Sequence, residues 1–174
     1  FFLFLVGAPG LARVGLQALE QDPDAAQQDH PRAVAQHLRP EPLLAAGRAL
    51  ARIPGVQACM DVSDGLARDL PRLLQRPNAA PLGADLELDA EALHPEVRAW
   101  CADQGLDPTR EAVLGGEDYA LLGACREEAL DAVRAAVHTQ GQDVLVLGRA
   151  TEAPGLRLNG QDFREAGFDH FPRG

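Results

Sequence analysis

Lysine does not occur in this chain of 174 residues, and all sixteen basic residues are arginine. The phosphate loop G-x-x-x-x-G-K-[ST] is therefore excluded everywhere. Positive charge is scarce altogether, with sixteen basic against twenty-six acidic residues and a formal charge of −10. Nucleic acid and anionic membrane are held chiefly by clustered Lys and Arg, so this balance argues against both as partners. A phosphate-ester ligand would need a metal to supply much of the positive charge. Cysteine is limited to Cys59, Cys101 and Cys125, odd in number, far apart and without a Cys/His cluster. Neither a disulfide framework nor a zinc site follows, and reduced thiols of a cytosolic protein are the expectation. The apolar opening 1–6 is far short of the ~20 residues that span a bilayer and lacks the charged leader of a signal peptide. A start on Phe-Phe reads as a cut from something longer.

What is present suits one α/β domain. Hydrophobic residues make up 46% of the chain and aromatics only 5%, enough for a core built mainly of Leu, Val and Ala. The informative stretch is M-D-V-S-D-G-L-A-R-D-L-P-R-L-L at 60–74. Residues 57–63 are mostly apolar, Asp64-Gly65 is a turn signal, and Leu66, Leu70, Leu73 and Leu74 recur at helical spacing. Strand, tight turn and helix follow, with Met60 and Val62 on one face of the strand and Asp61 and Ser63 on the other. Two carboxylates and a hydroxyl gather where backbone N–H groups of a helix start are free to meet an anion, which suits a divalent cation with phosphate oxygens. The plainer alternative is that Ser63 or Asp64 caps the helix and Asp61 is a solvated strand end. Pro71 predicts a kink or break.

The same patterns place a strand at 1–6, a turn at Gly7-Ala8-Pro9-Gly10, and a helix from Leu11 to near Gln21. That G-x-x-G lacks the G-x-G-x-x-G spacing, so a plain turn is preferred to a phosphate site. Residues 22–32 read as a polar loop, 33–38 as a short helix, and a further helix runs up to Pro54-Gly55. Residues 84–88 alternate as a half-buried strand, and a helix around 97–101 turns Trp100 inward as core material. Gly115-Gly116 forms a flexible corner before Glu117, Asp118 and a strand at 119–122; an acidic pair there reads either as a ligand contact or as an exposed turn. A helix at 127–139, a strand at 144–147 ending at Gly148, and a hairpin around Asn159-Gly160 close the chain. Interleaved strands and helices predict an α/β (α+β) fold, a mixed sheet covered by helices.

Five runs together resemble one family. P-E-P at 40–42, G-R-A-L-A at 47–51, D-V-S-D-G-L at 61–66, G-G-E-D-Y at 115–119 and G-F-D-H-F at 167–171 are similar, in order and separation, to the C-terminal half of the thiamine-monophosphate kinases. That family sits in the AIR synthase-like superfamily, with AIR synthase, the selenophosphate synthetases and a hydrogenase-maturation protein as siblings. The siblings carry T-G-G or T-G-F-G patterns in place of S-D-G, so Asp64 most separates this chain from them. The resemblance implies transfer of the γ-phosphoryl group of ATP to thiamine monophosphate, with Mg2+. It makes Asp61 and Asp64 metal ligands, Ser63 a contact to ATP phosphate, and Glu117 and Phe168 contacts to the thiamine substrate, with Asp118 the rival of Glu117. It also implies a missing N-terminal domain with further metal-binding aspartates, a fragment inactive alone, a homodimer for the full-length protein, and a cytoplasmic location. The alternatives are a sibling enzyme with another acceptor and a non-catalytic partner-binding domain.

Overall fold

The computed structural model describes residues 1–164. Its first strand, β1 (Phe2–Val6), is an interior strand of a seven-stranded sheet and organises two cores. Alternation along β1 sends Leu3 and Leu5 to one face and Phe4 and Val6 to the other, all four fully buried. The first face packs on helices α1 (Leu11–Gln21), α3 (Pro31–Leu38), α5 (Leu66–Leu73), α6 (Pro95–Gln104) and α7 (Pro108–Leu114). The second is covered by α4 (Leu44–Leu50) and α8 (Leu130–His138), through Leu50, Val133 and Val137.

The remaining strands are β2 (Val56–Val62), β3 (Gly83–Leu86), β4 (Ala120–Cys125), β5 (Val144–Thr151), β6 (Leu156–Leu158) and β7 (Gln161–Asp162), in the order β2-β4-β1-β5-β3-β6-β7. β3 and β6 are parallel and the other pairs antiparallel, which makes the sheet mixed, as the sequence predicts. Gly123 faces Phe4 across β4 and β1, and a Cβ there would lie 2.2 Å from the Phe4 ring. The glycine leaves room for the aromatic at the centre of the second core. Trp100 is buried as expected, its ring edge-on to His30 and its Nε1 donating to Gln17.

Three expectations change. Residues 22–32 are not a loop: α2 (Pro23–Asp29) forms there, because the Asp22 carboxylate accepts the N–H groups of Asp24 and Ala25 and Pro23 occupies the first helical position. β5 does not end at Gly148 but runs on to Thr151, past an irregularity in its pairing with β1. α5 passes through Pro71 and stops two residues later, at Leu73. Among the described residues no helix is long and apolar enough to cross a membrane.

Candidate functional site

β2 is an edge strand, and its last residues lead into the turn that the sequence singles out. Met60 and Val62 face inward while Asp61 is exposed, the alternation expected of the strand. Ser63 and Asp64 are half-buried and Gly65 caps α5. Gly65 has φ 97° and ψ 154°, and a Cβ there would meet the carbonyl oxygens of Leu114 and Gly115 at 2.8 and 2.9 Å. Both the backbone and the neighbouring loop therefore require glycine.

The turn is held by a residue that the sequence pattern does not reveal. Asp69, one turn into α5 and fully buried, accepts the N–H groups of Ser63 and Asp64 on one oxygen, each at 3.0 Å. Its other oxygen accepts Nη1 of Arg72 at 2.6 Å. Those two backbone donors are thus consumed internally, and the expectation that they await an anion is corrected. The same Arg72 nitrogen lies 2.7 Å from Asp64, and Arg68 Nε is 4.0 Å from it. The hydrogen bond to Asp64, ahead of the contributions of Asp69, raises the pKa of Arg72.

The Gly-Gly loop closes on this turn backbone to backbone. Glu117 N–H donates to the Ser63 carbonyl at 2.8 Å and Tyr119 N–H to the Val62 carbonyl at 3.0 Å. A Cβ on Gly116 would lie 2.7 Å from the Ser63 oxygen, and one on Gly115 2.7 Å from Gly10 Cα. Glu117 (φ 64°) and Tyr119 (φ 49°) both occupy the left-handed region, a strained pair of the kind that accumulates at functional sites. Both side chains are exposed, and the Tyr119 hydroxyl donates to Glu117 at 3.1 Å. That bond, with the nearby charges of Glu117 and then Asp61, raises the pKa of Tyr119.

Asp118, between them, has a different role. Its carboxylate accepts Gly10 N–H at 2.6 Å and Ala12 N–H at 2.8 Å, and its carbonyl accepts Gln36 Nε2 at 2.7 Å. Burial pushes its pKa up to about 7, against the backbone N–H groups that pull it down. The N-terminus of α1 is thereby filled by a carboxylate from the protein itself, and the G-x-x-G segment is a plain turn. Of the two rivals, Glu117 faces solvent and Asp118 is a buried cap.

No family model matches the chain. Thiamine-monophosphate kinase from Escherichia coli K12 is 31% identical over 186 residues, which covers 98% of this chain and 52% of that protein. AaThiL complexed with AMPPCP and TMP superposes with a TM-score of 0.79 at 27% identity, over 98% of this chain and 51% of that one. The chain belongs to the thiamine-monophosphate kinase family. It spans about half the length of the curated relatives it matches along nearly all its residues. The fold is shared more widely: E. coli HypE, a hydrogenase maturation protein, gives a TM-score of 0.69 at 24% identity, covering 99% of this chain and 52% of its own. The mixed sheet is thus of the AIR synthase-like kind.

Within this family frame, two of the five runs that carry the resemblance, those at 61–66 and 115–119, lie side by side although 48 residues separate them in sequence. Asp61, Ser63 and Glu117 are brought to one rim, Asp64 is drawn toward Arg72, and Phe168 lies outside the described residues. Among the described residues no group of three or more His, Cys, Asp or Glu side chains is placed to hold a metal ion. Magnesium is commonly held by one or two carboxylates together with substrate phosphates, a demand that these hard oxygen donors meet in kind. The Asp61 carboxylate is exposed, whereas that of Asp64 is engaged by Arg72, with Arg68 4.0 Å away.

Proposed function

We propose that this chain is the C-terminal half of a kinase that transfers the γ-phosphoryl group of ATP to thiamine monophosphate. The observation that carries the reading is the junction of the two loops, where backbone hydrogen bonds join Ser63 and Val62, next to Asp61, to Glu117 and Tyr119, both in the left-handed region, beside a closely packed Gly-Gly corner. The relative that shares this fold at 27% identity is complexed with AMPPCP and TMP, which supports both ligand classes.

The chemistry asks little of a general base. A phosphate monoester has a second pKa near 6, so the acceptor oxygen is already ionised at neutral pH. Catalysis then rests on alignment and on neutralising charge. Asp61 and Asp64 present carboxylates to the nucleotide's metal, the Ser63 hydroxyl donates to a phosphate oxygen, and Glu117 meets the thiamine moiety, whose ring packs on Phe168. Bound Mg2+ supplies the positive charge that a lysine-free, acidic chain lacks. The N-terminal half provides the rest of the nucleotide site and the contacts of a homodimer, and the protein works in the cytoplasm.

The test is thiamine diphosphate formation from ATP and thiamine monophosphate. It compares this chain alone with the chain joined to the N-terminal half of the E. coli relative. Turnover by the joined protein, none by the chain alone, and loss of turnover in the joined Asp61→Asn variant are expected. Normal turnover by the isolated chain, or an Asp61→Asn variant as active as its parent, would refute the reading.

A further inference from the structure

The turn at 63–65 carries its own cation. A single nitrogen of Arg72 lies 2.7 Å from Asp64 Oδ2 and 2.6 Å from Asp69 Oδ1, so one guanidinium bridges two acids. The acids are not equivalent. Asp69 has no exposed surface, and its second oxygen holds the turn through two backbone N–H groups. Removing the guanidinium from it would leave a buried charge uncompensated. The Asp64 side chain keeps 15% of its surface, and that of Arg72 keeps 46%. The half of the bridge that can open is therefore the one to Asp64.

We propose that Arg72 is a positioning residue that acts as the resident counter-ion of Asp64. A divalent cation gains Asp64 by displacing the guanidinium, which stays on Asp69 and keeps the turn folded. This rests on the reading of Asp61 and Asp64 as the acids that face the nucleotide's metal. The exchange trades one cation for another at Asp64 and breaks no covalent bond. Without a ligand, Arg72 offsets the two neighbouring carboxylates of Asp64 and Asp69 in a chain already at −10. With one, it lowers metal affinity by the strength of a partly exposed ion pair.

Mn2+ binding to the whole chain, read by electron paramagnetic resonance of the free ion, tests this without turnover. Arg72→Gln can still donate an amide N–H to Asp69 but removes the nearer of the two guanidinium groups beside Asp64, leaving Arg68 at 4.0 Å in place. It is expected to bind Mn2+ about fivefold more tightly than the parent. Arg72→Lys should bind as the parent does. Arg134→Gln, which removes a charge of the same sign from α8, should change nothing. If Arg72→Gln does not fold, the double variant Arg72→Gln/Asp69→Asn removes the buried charge with its partner and carries the same expectation. Binding unchanged or weaker in the folded Arg72 variant, or absent from parent and variant alike, overturns the proposal. The underlying metal reading fails separately, if Asp61→Asn and Asp64→Asn both bind Mn2+ as the parent does.

Discussion

The Asp118 carboxylate receives the N–H of Gly10 at 2.6 Å across 108 residues of sequence. With Ala12 N–H on its other oxygen, this one side chain fastens the start of α1 to the loop that presents Glu117. Asp118→Ala would leave two buried donors unpaired and remove a helix cap. A loss of about 3 kcal/mol is expected in urea denaturation. Asp118→Asn keeps one acceptor and should lose less than half as much.

The same residue gives stability a pH dependence of definite sign. Burial raises the folded pKa of Asp118 to about 7 from its ordinary 3.8, so between those values the native state binds one more proton than the unfolded chain. Stability from this group is therefore greatest below about pH 4, falls as pH rises toward 7, and is flat above. The difference between parent and Asp118→Asn isolates it from all other carboxylates. That difference should change by up to ~1.4 kcal/mol per pH unit across the window. A difference that stays constant from pH 4.5 to 7.5 would show that the carboxylate is not buried in this way.

Asp69 is the structural anchor of the Asp61–Asp64 turn, and its removal should be felt there first. Asp69→Ala orphans the N–H groups of Ser63 and Asp64 and takes a buried partner from Arg72. A loss of about 3–5 kcal/mol is expected. Amide hydrogen exchange at Ser63 and Asp64 should rise well before exchange in the β1 and β4 strands. Equal protection of those two amides in parent and variant would mean that something else holds the turn.

These residues also show where reading the sequence succeeds and where it stops. β1, α1, the strand before Asp61 and α8 follow from apolar spacing, because each buries a stripe that recurs at its own period. α2 escapes that reading because Ala26 is its only buried residue; the helix is signalled instead by Asp22-Pro23, a cap followed by a first-turn proline. The same pair recurs at Asp107-Pro108 and opens α7, which the apolar pattern also leaves undetected. Glu117 and Asp118 cannot be told apart in sequence, since the partner that buries Asp118 lies at the other end of the chain. Asp69 reads locally as one more acid in the first turn of a helix. Only the folded turn reveals that its oxygen takes the place of an outside anion.

Gly65 separates backbone strain from steric contact. Gly105 also has positive φ, at 66°, but a Cβ there would meet nothing within 4 Å. Gly105→Ala should therefore cost about 1 kcal/mol, the penalty of the left-handed region alone. Gly65→Ala, at φ 97° and ψ 154°, adds a collision with two backbone carbonyls that cannot rotate away. Its cost should exceed that of Gly105→Ala by about 2 kcal/mol or more in thermal or urea unfolding. The displaced loop is the one bearing Glu117, so Gly65→Ala should also loosen the Tyr119 hydroxyl bond to Glu117 and shift the tyrosine's alkaline titration back toward its ordinary value. Equal costs at the two glycines would show that the Gly-Gly loop does not press on this turn.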